Sequence, residues 1–429
     1  MFEKSGHSVR EAYIQLVYGL GWYRIIKSLP TNPTLLTHLT IDAQPWSPRE
    51  EPNRYGENFF GGLAYNLRQL CIHQVPFLPT DKFPNLTHFV VTGLGSFTLH
   101  IVLSVLSNMP MLQTANLDIE IEKGSIAQCH GDSDAIVQLP QLHQLVLKDS
   151  APCSITGLLP MIKFASTCLV HIDQQMGDDL VSIAGSLYTR DFAQNLTRLR
   201  IIPNHVYNDG DEDNQINLYY LEVFDDTGTS GLRLGIREMH SGLWTAYDRN
   251  RVTDTLADFL SSSVGAQLVS NVRKLWVHMW TDLVNDSLLA AIPPIDTLGL
   301  VLARPPYVRT EIPESIGQLT EGGDFTHCPN LTSLYVYTCG AEDVDRARIV
   351  ATARKEAGRP LDQLAIECEQ GKSSLEVRSQ ALELEGLVGK LSVTVGEKKR
   401  AWWKPCAIPE GYGPSRWPEW QEYWPPLGP

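Results

Sequence analysis

One pattern constrains this chain more than any other: Leu-x-x-Leu-x-Ile recurs along most of its length. Clear copies stand at Leu36-Leu39-Ile41, Leu67-Leu70-Ile72, Leu86-Phe89-Val91, Leu112-Ala115-Leu117 and Leu142-Leu145-Leu147. Further copies follow at Leu196-Leu199-Ile201, Val272-Leu275-Val277, Leu331-Leu334-Val336 and Leu361-Leu364-Ile366, with weaker ones at Thr167-Val170-Ile172 and Ile295-Leu298-Leu300. Successive copies are 19 to 36 residues apart, with one gap of 76. That is near the period of leucine-rich repeats built from one strand and one helix.

The spacing has a direct physical reading. The last two apolar positions of each copy are two residues apart, so they share one face of a short strand. The first sits at the bend leading into it. A single strand of this kind cannot bury its apolar face, whereas parallel stacking makes a continuous core. The return segment must then cross the outer side. Ile101 to Leu106, stopped by Pro110, reads as one such helix. Asp343 to Ala357 reads as another, with Asp343 as its cap and Gly358 and Pro360 as its stop. The expected fold is α/β: a leucine-rich-repeat solenoid, horseshoe-like, with a parallel concave sheet and helices on the convex side.

Three regions frame the array. Residues 1–30 are expected to form an N-terminal helical cap, because Ser8-Val9-Arg10-Glu11 reads as a capping box before Tyr13, Leu16, Val17 and Leu20. Residues 31–395 hold the degenerate repeats, with an irregular insertion around 203–271. There Leu218-Leu221-Val223 fits a further repeat. Equally, Leu218 to Phe224 and Leu232 to Ile236 fit a hairpin. Residues 396–429 form a Trp/Pro-rich tail with Trp402, Trp403, Trp417, Trp420 and Trp424, read either as a partner-binding segment or as a cover for the last repeat.

The array resembles that of fungal, basidiomycete-type F-box proteins with leucine-rich repeats. The residues that carry the resemblance are Leu86-Thr87-His88-Phe89, Met109-Pro110-Met111-Leu112 and the stretch Ala353 to Leu364. The resemblance implies the substrate receptor of a cullin-type ubiquitin ligase, with a protein target on the repeats and the ligase adaptor on an F-box. The F-box itself is not recognisable here: Ser8 to Leu29 does not match its Leu-Pro-x-Glu-like opening.

Composition narrows the function classes. A net charge of −14 argues against general nucleic-acid binding, which needs basic surface. Eight cysteines without a Cys-x-x-Cys pair do not form a disulfide framework. The N-terminus lacks a secretory signal, and no stretch approaches the roughly 18 apolar residues of a membrane helix. The expected compartment is therefore cytoplasm or nucleus, with no membrane partner. The Asn-Leu-Thr sequons at Asn85, Asn195 and Asn330 each precede the first Leu of a copy, which marks them as part of the repeat rather than as glycosylation sites.

No motif for catalysis or cofactor binding stands out: there is no Gly-x-Ser-x-Gly elbow, no His-Glu-x-x-His helix and no phosphate loop. His130, Asp132 and Asp134 are the least bad start for a metal ion or an enzyme, and a polar loop explains them as well. The expectation is a non-enzymatic protein-recognition module without cofactor or metal. Its contact surface is the polar side of the strands, and the candidate residues are His38, His73, His88, His171, Arg198, Arg200, Lys274, Trp276, His278, Tyr335 and Tyr337. The alternatives are an enzyme whose site assembles only in three dimensions and an assembly scaffold. The target itself has no sequence signature.

Overall fold

The computed structural model describes residues 9–16, 29, 33–43, 56–75, 77–122, 124–125, 136–148, 151–175, 179–188, 194–206, 216–228, 230–239, 255–278, 286–301, 328–338, 340–369 and 374–396. The strands are β1 (Glu11–Leu16), β2 (His38–Ala43), β3 (Gly56–Glu57), β4 (Gln69–Val75), β5 (Leu78–Pro79), β6 (His88–Phe97), β7 (Thr114–Ile121), β8 (Val137–Leu139), β9 (Gln144–Leu147) and β10 (Ile162–Phe164). They continue as β11 (Leu169–Gln175), β12 (Arg198–Val206), β13 (Ile216–Phe224), β14 (Gly231–Met239), β15 (Lys274–His278), β16 (Thr297–Val301), β17 (Ser333–Thr338), β18 (Gln363–Glu369) and β19 (Lys390–Gly396). The helices are α1 (Leu99–Ser107), α2 (Pro152–Leu158), α3 (Leu180–Tyr188), α4 (Ser263–Leu268), α5 (Asp286–Ala291), α6 (Ala341–Glu356) and α7 (Ser374–Leu382). No helix among the described residues is long and apolar enough to cross a membrane.

The chain divides into two compact units, one formed by Met1–Asp226, Ser230–Val272 and Ser287–Pro293, the other by Thr227–Thr229, Arg273–Asp286 and Pro294–Pro429. Both are α/β with a mostly parallel sheet. In the first unit the strand order is β1-β2-β4-β6-β7-β9-β11-β14-β13-β12; in the second it is β15-β16-β17-β18-β19. Short parallel pairs β3–β5 and β8–β10 lie outside these ladders.

The repeat sets the register. Leu39 pairs with Leu70, Leu70 with Phe89, Phe89 with Ala115 and Ala115 with Leu145. In the second unit Leu275, Leu298, Leu334, Leu364 and Leu391 pair in the same way. A second apolar row, Ile41-Ile72-Val91-Leu117-Leu147, follows two residues on. All of these except Leu391 are buried, and so are the leading residues Leu36, Leu67, Leu86, Leu112, Leu142, Leu196, Val272, Ile295, Leu331 and Leu361. The weak copy at 167 departs from this: Thr167 is exposed and its neighbour Cys168 takes the buried place.

Polar side chains tie one repeat to the next. Asn66, Asn85 and Asn271 each precede a leading apolar residue, and each side-chain amide donates to the main chain of another repeat at Thr34, Tyr65 and Gln194 respectively. Every acceptor stands two residues before its own repeat's leading Leu, so the contact recurs in one phase. For the Asn85 sequon this is a structural occupation of the carboxamide.

The helices supply the other half of the core. α1 starts at Thr98, whose hydroxyl accepts from the Ile101 amide, and it buries Val102, Leu103, Val105 and Leu106. α6 ends in a Schellman turn. Gly358 adopts φ 72° while its amide donates to Lys355 O and that of Arg359 to Arg354 O. Its start differs from the expectation. The cap position is Gly340, and Asp343 lies in the first turn, buried, accepting from the Thr338 hydroxyl.

Glu11–Leu16 is not helical but forms β1, parallel to β2, with Ala12 opposite Leu39 and Ile14 opposite Ile41. The segment Glu-Ala-Tyr-Ile-Gln-Leu satisfies period 2 as well as period 3.6, and pairing to the exposed edge of β2 lets Ile14 be buried. Between 216 and 239 the chain takes the hairpin: β13 and β14 pair antiparallel across 225–230, and β13 also pairs antiparallel with β12. This meander sits beside β11, to which β14 is parallel. Residues 1–8 and the Trp/Pro-rich tail from 397 onward lie outside the described residues.

Candidate functional site

Alternate strand residues face away from the Leu/Ile rows, and this second face of each sheet is where the candidate residues stand. In the first unit, one row along it reads Glu11, His38, Gln69, His88, Thr114, Gln144. The next reads Tyr13, Thr40, Cys71, Val90, Asn116, Val146, His171, Arg233, Glu222, Arg200. Asp42, His73, Thr92 and Asp118 begin a third.

The histidines are fixed by local chemistry. The Thr37 and Thr87 hydroxyls each donate to the carbonyl of an arginine, Arg10 and Arg68, at 3.0 Å. Each hydroxyl oxygen lies 2.8 Å from Nδ1 of the following His38 or His88. A hydroxyl has one proton to give, so Nδ1 of each ring must be the donor. Burial, with His38 nearby, pushes the His88 imidazole down to about 4. His73 is set differently: Nε2 is 2.8 Å from Cys71 Sγ and Nδ1 is 3.1 Å from Thr92 Oγ1. Burial, and then the Asp42 charge, raise the Cys71 thiol far above its ordinary range. A thiol kept protonated donates to the imidazole and is not a nucleophile.

Further along the row the expectation of an open surface fails. His171 is 1% exposed, and burial with Arg233 and Lys148 nearby holds it well below its ordinary range. Arg200 is buried too, with Nη1 3.2 Å from Glu222 Oε2. Arg233 places Nε 3.3 Å from Glu222 Oε1 and its guanidinium 3.8 Å from the centre of the Tyr220 ring. These groups come from strands that the antiparallel insert brings side by side, so a charged row forms across β14, β13 and β12, with His171 of β11 at its end. His88 is likewise buried. Arg198, in contrast, is half-exposed and paired with Asp226 at 3.1 Å.

In the second unit Lys274, Trp276, Tyr335 and Tyr337 are all half-buried on the second face. The Trp276 and Tyr335 rings are 5.4 Å apart and tilted at 45°. Between their strands stands Gly299, paired in register with both residues. A Cβ there would lie 1.8 Å from Trp276 Cε3, so the indole rests on the glycine backbone. The Tyr335 hydroxyl reaches Gln363 Oε1 at 3.3 Å. Gly299 was missed from sequence, although an isolated glycine within a strand signals a close approach. His278 belongs to β15, but its side chain lies outside the described residues, as do His130, Asp132 and Asp134. Among the described residues no three His, Cys, Asp or Glu side chains converge in a way that could hold a metal ion.

The first unit brings imidazoles, amides and carboxylates together on one side of its sheet; the second has a small aromatic platform. No family model matches the chain, and no curated protein or solved structure is significantly similar to it.

Proposed function

We propose that the chain is a leucine-rich-repeat solenoid, concave on its second face, whose function is non-enzymatic recognition of another protein in the cytoplasm or nucleus. By resemblance it corresponds to the substrate-binding part of an F-box ubiquitin-ligase receptor. The observation that supports this best is the shared register of the repeats. One sequence phase puts Leu and Ile in the core and lines polar and aromatic residues in rows on the other side, which is how repeat arrays build extended binding surfaces. Trp276, Tyr335 and Tyr337 are of the residue types that anchor interfaces.

Quantitative co-purification from cell extract tests the reading, with wild type beside a Trp276→Ala/Tyr335→Ala double variant of unchanged thermal stability. The reading expects a discrete set of proteins bound to wild type and depleted with the variant. Identical sets would count against it. The ligase part stands or falls separately, on whether a cullin-type adaptor co-purifies with the full chain.

A further inference from the structure

The second unit ends at β19, and among the described residues that end is open. There β19 pairs with β18 alone. Its core-side residues Leu391, Val393 and Val395 stand in register with Leu364, Ile366 and Cys368. Those three are buried, whereas Leu391 and Val393 are half-buried and Val395 is 37% exposed. α7 is open on the same flank. Its core side is held by Val377 and Ala381, both buried. Glu383, just past its last residue, lies 3.6 Å from Arg348 and marks the side toward α6. Leu382 stands about 100° round the helix from Glu383, and Leu375, two turns earlier, shares its side. These two leucines are 51% and 78% exposed. Exposed leucines on the last helix, beside a half-covered last strand, form the surface on which a further repeat would stack.

Chain order points to what covers it. α6 follows β17 and packs on it; α7 follows β18 and packs on both β18 and β19. The segment that follows β19 is residues 397–429, which carry Trp402, Trp403, Trp417, Trp420 and Trp424. Trp402 comes six residues after Gly396, a reach of up to about 20 Å. β19 spans about 23 Å, so the indoles of Trp402 and Trp403 can be laid back along most of it. A tether this short also holds the tail near the flank at about millimolar effective concentration, ahead of any second molecule.

We propose that residues 397–429 close this end of the second unit, with Trp402 and Trp403 seated on Leu375, Leu382 and the apolar row of β19. The tail is then the cap of the last repeat rather than an arm for a partner. It takes an apolar flank out of water and keeps the edge of β19 from pairing with other chains. The inference goes beyond the recognition function and does not depend on it.

Photocrosslinking within the purified full chain tests it. A benzophenone amino acid replaces Arg378, exposed on α7 between the two leucines, and the products are mapped by mass spectrometry after digestion. Links from 378 to residues 397–429 of the same chain are expected, with a yield that does not change on dilution. A dimer-sized product that fades on dilution, or an absence of links to 397–429, overturns the proposal. Hydrogen exchange gives an independent reading. Trp402→Ser/Trp403→Ser should speed exchange in peptides covering β19 by about tenfold or more and leave those covering β2, in the first unit, unchanged. Equal exchange at β19 with and without the substitutions, or the same acceleration at β2, overturns it as well. Co-purified proteins that depend on Trp276 and Tyr335 bear on the recognition reading alone, so either can fall without the other.

Discussion

The indole of Trp276 occupies the space where any side chain at Gly299 would begin, one strand away at the same register. Adding a methyl group there forces the ring off its seat beside Tyr335. Gly299→Ala is therefore expected to destabilise the protein by about 1–3 kcal/mol, the usual cost of overpacking. In a Trp276→Ala background the same change should cost little. A double-mutant cycle in denaturant measures the coupling, and additive effects would mean the ring does not rest there.

Glu222 accepts a hydrogen bond from buried Arg200 and forms an ion pair with buried Arg233, across β12, β13 and β14. Removing it leaves both guanidiniums without this carboxylate. Glu222→Ala should cost about 3–5 kcal/mol. Replacing the trio together, Arg200→Met, Glu222→Leu and Arg233→Met, should cost much less than that single change. Equilibrium unfolding compares the two directly.

His88 makes stability depend on pH in a defined direction. Its folded value, about 4, lies below the ordinary 6.5, so between those limits the unfolded chain binds the proton more readily. Its contribution is complete above about pH 6.5 and is lost as pH falls towards 4, by up to about 3 kcal/mol. His88→Gln should flatten this part of the profile when unfolding free energies are measured at pH 7 and pH 5.

Asp81 is fully buried, and its carboxylate accepts the main-chain amides of Phe59, Phe60 and Gly62 at 2.6, 2.9 and 2.8 Å. Three charge-assisted bonds hold that turn. Asp81→Ala should cost roughly 3 kcal/mol or more. It should also accelerate hydrogen exchange at those three amides beyond the global effect, while Asp81→Glu with unchanged exchange would contradict so tight a fit.

How far the sequence reveals this arrangement depends on the range of the interaction. Leu70 and Ile72, or Leu334 and Val336, announce their strands because burial of alternate residues is a local rule. The end of α6 is equally legible in Gly358 and Pro360. β1 was not, since Glu11–Leu16 satisfies both periods and only its neighbour β2 decides between them. On the second face, phase alone selects the right side of each strand but says nothing of what lies beside it. His171 and Arg200 look like surface residues until the antiparallel insert places Arg233 and Glu222 between them. Gly299 matters through its contact with Trp276 on the neighbouring strand, and the local sequence marks it only by being a glycine within a strand.

Contact between the second face and a protein partner can be captured by site-specific photocrosslinking. A benzophenone amino acid is placed at Tyr337, half-buried on that face, or at Ile349, exposed on α6. After irradiation in cell extract, a discrete crosslinked protein is expected from position 337 and none from 349. Crosslinks from 349 alone, or the same products from both positions, would contradict it.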